Sequence, residues 1–194
     1  MKIYTISVRE GYEWILPRDP SQHERFLSLA GMPQRSWNPP EMEFVSEGDD
    51  GSVPQRSDFP WLGEHLLIMR SPAVEAIRPF VDAYGEFLPL RCYEEVWLFN
   101  ATSMVDALDE ENSHIVRFDD GSILAIEKHV LRPDVIGGAQ LFKLRERPGG
   151  LRASAIYLQE PLTRQIGRLG LTGIAFDLVW SDVAVSAADS RIEY

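Results

Sequence analysis

The chain has 194 residues, 44% of them hydrophobic and 25% charged, with 19 Lys and Arg against 30 Asp and Glu for a net charge of −11. That length can bury a core without covalent staples, and a single cysteine, Cys92, excludes an intramolecular disulfide and a cysteine-built zinc site. The acidity argues against nucleic acid and anionic membranes as partners, and no apolar run approaches the ~20 residues of a membrane helix.

The N-terminus lacks the long apolar core of a signal peptide, so the protein reads as cytosolic. Lys2–Val8 alternates polar and apolar residues and is rich in β-branched side chains, which predicts the first strand. Ser21-Gln22-His23-Glu24 is a capping-box pattern for a short helix through Leu29, stopped by Gly31. Residues 33–58 hold four prolines and two glycines around Asp49-Asp50, and are expected to be loop-rich and mobile, with a short strand at Glu43–Ser46.

His65–Arg70 is a short apolar run. Ser71-Pro72 then supplies an N-cap and a first-turn proline, and Val74, Ile77, Val81 and Tyr84 recur at helical spacing. A helix from Pro72 to Ala83 follows, with Gly85 as its C-terminal glycine. Glu86–Tyr93 and Glu95–Ala101 read as strands, and Ser103–Leu108 as one or two helical turns.

His114–Phe118 and Ser122–His129 flank Asp119-Asp120-Gly121, a hairpin signal. Gln140–Arg145 and Arg152–Tyr157 flank Pro148-Gly149-Gly150 in the same way. A helix opens at Glu160-Pro161 and runs through Arg168 to a stop at Gly170. Ile174–Trp180 is a last strand, and the tail 181–194 is expected to fray. Successive hairpins with two or three peripheral helices predict an α+β fold with a mainly antiparallel sheet, formed as one domain over residues 1–194.

No motif for a nucleophile, a phosphate cradle or a dinucleotide is present. His23, His65, His114 and His129 lack the spacing of a helical metal pair, although His114 and His129 lie on facing strands of one hairpin. Cys92 lies among apolar residues and reads as a buried structural thiol. Asp106 and Asp109 would share a helical face, a pattern open to a divalent cation or acid–base work, but the remaining parts of a calcium loop are missing. Arg145, Arg147, Arg152, Arg164 and Arg168 gather in the last third and read as ordinary surface arginines. No metal, no cofactor and no catalytic residue is expected.

The charge is unevenly spread. Residues 1–60, 61–130 and 131–194 carry net charges of −4, −8 and +1. From Glu94 to Asp120 eight carboxylates stand against one basic residue, Arg117. Such a field steers cationic partners.

From Phe87 onward the order of elements carries a resemblance. Phe87-Leu88-Pro89-Leu90 is followed by Asn100, by Met104-Val105-Asp106-Ala107-Leu108-Asp109, and by Ser113. Leu141-Phe142-Lys143-Leu144, Ser154-Ala155-Ile156-Tyr157-Leu158 and Gly170-Leu171-Thr172-Gly173-Ile174-Ala175-Phe176 complete the series. Over about residues 87–180 this resembles a family of small bacterial immunity proteins from polymorphic toxin systems, formerly described only as a domain of unknown function. In the first 60 residues only the opening strand and Trp14 are similar.

The resemblance implies an inhibitor that binds a cognate toxin of the same cell. An acidic face with embedded aromatics suits a basic toxin, because charge speeds encounter and buried aromatics anchor the complex. The expected partner-binding residues are Glu94, Glu95, Asp106, Asp109, Glu110, Glu111, Asp119 and Asp120. Trp61, Trp97 or Phe99 is expected to supply an anchor. Two other classes stay open: a non-inhibitory adaptor, and a hydrolase-type enzyme using Asp106, Asp109 and a distant histidine.

Overall fold

The computed structural model describes residues 1–48, 51–145, 150–151, 153–184 and 190–194, and thirteen strands and four short α-helices lie among them. In chain order the elements are β1 (Lys2–Val8), β2 (Ile15–Pro17), α1 (His23–Leu27), β3 (Met42–Phe44), β4 (Leu67–Arg70), α2 (Ser71–Val81), β5 (Gly85–Leu90) and β6 (Val96–Ala101). They continue with β7 (Met104–Val105), β8 (His114–Arg117), β9 (Ile123–Lys128), α3 (Pro133–Ile136), β10 (Leu141–Leu144), β11 (Ile156–Gln159), α4 (Glu160–Gly167), β12 (Ile174–Ser181) and β13 (Arg191–Glu193). The fold is α+β with mostly antiparallel sheets, as the hairpin-rich sequence predicts.

A six-stranded sheet has the order β13-β12-β1-β11-β10-β7, and a three-stranded sheet has the order β4-β6-β5. Two-residue periodicity explains how they stack. On β4, Leu67 and Met69 join Phe99 and Ala101 of β6 in a core shared with Tyr4, Ile6, Leu141, Ile156 and Leu158 of the six-stranded sheet. The alternate residues Ile68, Val96 and Leu98 point the other way, to a second core with Ile15, Phe26, Leu29 and Met42. The three-stranded sheet is therefore buried on both faces. On the far side of the six-stranded sheet, Ile3, Phe142, Leu144 and Tyr157 form a third core with Ala107, Leu131 and Ile136.

Two helices pack into the core between the sheets. Ala73, Val74, Ile77 and Val81 of α2 and Leu162 and Ile166 of α4 are buried in the core the two sheets share. Each of the larger of these side chains contributes about 1.5–3 kcal/mol by leaving water.

Five local expectations need correction. Ser21 does not cap a helix: Asp19 caps a 3-10 turn at Pro20–Gln22, and α1 follows with no side-chain cap and ends at Leu27, short of Leu29. Ser103–Leu108 is extended, not helical: Met104 and Val105 pair in parallel with Lys143 and Leu144, and long-range hydrogen bonds outweigh local preference. Gly85 does not end α2 in a left-handed turn. It starts β5 with extended backbone, and glycine is needed because a Cβ there would lie 2.3 Å from the Asn100 carbonyl oxygen. The short strand expected at Glu43–Ser46 is Met42–Phe44, paired with β2. The end of the tail does not fray: β13 pairs with β12, and Tyr194 packs edge-on to Phe176 at 6.1 Å. β10 and β11 pair antiparallel as expected, but the second arm begins at Ile156 and not at Arg152. Residues 146–149, which include most of the turn expected there, and Arg152 lie outside the described residues, as do Asp49-Asp50 and residues 185–189.

Candidate functional site

Residues 106–113 leave β7 at the edge of the six-stranded sheet and loop towards β8. The root of this loop is tied to the segment after β9. Asp109 N donates to Val130 O at 2.9 Å, and Arg132 N donates to Ala107 O at 2.8 Å. The Ser113 hydroxyl accepts from Val130 N at 2.9 Å and donates to Val130 O at 3.3 Å.

The loop carboxylates differ in what they hold. Asp109 accepts from Asn112 N and Nδ2 of its own loop at 3.2 and 2.8 Å, and these bonds lower its pKa. Asp106 lies 3.6 Å from Arg132. Glu110 meets Arg117 at 2.7 Å, and Arg117 also donates to Gly121 O at 2.9 Å, which links the loop to the tip of the β8–β9 hairpin. At that tip Asp120 accepts from Ser122 N at 2.9 Å. Glu111 and Asp119 are exposed, and neither side chain has an ion pair among the described residues.

The structure thus places Asp106, Asp109, Glu110 and Glu111 on one loop and Asp119 and Asp120 at the hairpin tip, and Arg117 bridges the two through Glu110 and Gly121. It does not bring Glu94 and Glu95 to them. Those two precede β6, whereas the acidic loop follows it, and six residues at about 3.3 Å each separate them by on the order of 17–20 Å. Glu95 accepts from the Ser71 hydroxyl at 2.8 Å. Glu94 accepts from Arg70 through both oxygens, at 2.8 and 3.1 Å, and pairs with Arg56 at 2.7 Å. The Arg70 hydrogen bonds, reinforced by Arg56, pull the Glu94 pKa down to about 2.

Aromatic residues also depart from expectation. Phe99 is fully buried, and Trp61 and Trp97 are half-buried against the core, so Phe99 cannot serve as a contact. The exposed aromatics are Trp14, Tyr93 and Phe118, at 42, 78 and 53%. Phe118 stands directly before the hairpin turn. Trp14 belongs to the alternation Tyr12, Trp14, Leu16, which opposes Ile15 and could have been read from the sequence.

His114 faces Glu127 at 3.1 Å, whereas His129 meets the Tyr157 hydroxyl at 3.0 Å and its pKa is lowered to about 4 by burial. Cys92 is half-buried against the second core. No group of three or more metal-ligating side chains is found among the described residues. No helix among them is long and apolar enough to cross a membrane.

Residues 92–180 match the model of the immunity protein family Imm11. No curated protein matches the chain. Within the Imm11 segment, the residues that carried the resemblance prove to be structural. Asp109 and Ser113 fix the acidic loop, as described above. Thr172 donates to Asp58 Oδ2 through its backbone N and its hydroxyl, at 2.9 and 3.0 Å, and its carbonyl accepts from Asp58 N at 3.1 Å. Gly173 beside it has a φ of +89°, and a Cβ there would lie 2.3 Å from Ser57. Phe176 enters the main core.

Proposed function

We propose that this protein, acting as one folded unit in the cytosol, is an immunity protein that binds a cognate bacterial toxin in a stoichiometric, non-enzymatic complex. The observation that carries this reading is the Imm11 match over residues 92–180, which contains the acidic loop. The partner-binding surface is the loop of Asp106, Asp109, Glu110 and Glu111 with Asp119 and Asp120 of the hairpin tip. Glu94, paired with Arg70 and Arg56, and Glu95, bound to Ser71, lie outside this surface. Such a surface suits a basic toxin.

The residues differ in the part they play. Glu111 and Asp119 have no ion pair among the described residues and are exposed to meet a cation, whereas Asp109 and Asp120 hold their turns in shape. Reversing Glu111 and Asp119 to lysine is therefore the cleanest probe. Binding to the product of the neighbouring gene, measured by calorimetry at low and high salt, should be tight and should weaken as salt rises. The E111K/D119K variant should bind more weakly and lose most of that salt dependence. Equal binding by variant and wild type would remove the acidic surface, and no binding by the wild type would remove the toxin reading.

A further inference from the structure

The strand β2 and the residues leading into it alternate between two faces, with Glu13 turned to Arg70 and Ser57. Ile15 is fully buried in the second core, while Tyr12, Trp14 and Leu16 face outward. With Val45, Glu47 and Pro54 they line a groove of about 390 Å³, a size ordinary for a binding site. Trp14 is 42% exposed and belongs to none of the three cores.

Other aromatic faces in this protein are covered by arginine. Arg25 lies 4.1 Å over Trp37, Arg78 4.1 Å over Phe87, Arg70 4.6 Å over Phe44 and Arg9 5.0 Å over Tyr12. No such cation covers Trp14 among the described residues. Among the described residues Glu47 is the carboxylate that lines the groove, no basic residue lines it, and Glu47 has no ion pair. An exposed indole face beside an unpaired carboxylate is a receptor for a cationic side chain.

We infer that this groove receives a lysine or arginine side chain of the toxin, held between the Trp14 ring and the Glu47 carboxylate. The inference rests on the toxin-binding reading. It adds a contact outside the Imm11 segment, in the N-terminal part of the chain.

The test uses the full chain and the neighbouring gene's product, with Trp14→Ala, Trp14→Phe and Glu47→Gln compared by calorimetry, and melting curves to confirm folding. Trp14→Ala should weaken binding by about 30-fold, the scale of an interface hot spot. Trp14→Phe should retain part of the affinity, and Glu47→Gln should lose several-fold, as expected for a partner cation. No binding by the wild type overturns the toxin reading and this contact with it. Wild-type binding with unchanged affinity in Trp14→Ala and Glu47→Gln overturns the groove alone. A loss in Trp14→Ala with none in Glu47→Gln overturns the cationic occupant.

Discussion

The turn before β6 and the loop after it draw on the same acidic stretch, yet their carboxylates have opposite fates. Glu94 is enclosed with Arg70, whose side chain is only 4% exposed and which also binds Glu13 at 2.8 Å and the Ser57 carbonyl. This cluster joins four segments of the chain. Glu111 and Asp119 instead stand in water. The density of acids in a sequence thus shows how much charge is present, while only their partners show how much is available to another molecule.

The strongest way to sharpen that contrast is to remove the buried cation. Arg70→Met would leave Glu13 and Glu94 without their main partner, and should destabilise the protein by about 3–5 kcal/mol in urea unfolding. A loss below about 1 kcal/mol would show that the cluster is not structural.

A second measure is stability against pH. The folded Glu94 pKa of about 2 lies below its ordinary value of 4.5, so its stabilisation is complete above pH 4.5 and is lost as pH falls through 2. The effect should be on the order of 3 kcal/mol. Glu94→Gln should flatten this acid limb, and an unchanged limb would assign it to other carboxylates.

Local signals were legible in the sequence where the deciding contacts are local. Lys2–Val8 forms β1 over the expected residues, the first-turn Pro72 sits at the start of α2, although the N-cap is Arg70 and not Ser71, and Asp119-Asp120-Gly121 turns the β8–β9 hairpin. Where distant partners decide, the sequence was silent. Met104–Val105 depends on β10, Gly85 on the Asn100 carbonyl, and residues 191–193 on β12. The site follows the same rule. Its acids could be counted, but the Asp109–Asn112 bonds and the Arg70–Glu94 pair required the fold.

The smallest expected effect completes the contrast. Glu111 and Asp119 have no ion pair to lose among the described residues, so E111K/D119K should change stability by no more than about 0.5 kcal/mol. Its effect should fall on association. Rim charges act mainly on the rate of encounter, so the variant should associate more slowly at low salt while dissociating at nearly the wild-type rate. Rapid-mixing kinetics at two salt concentrations would separate the two rates. A change confined to dissociation would place these carboxylates at the buried centre of the binding surface instead of at its rim.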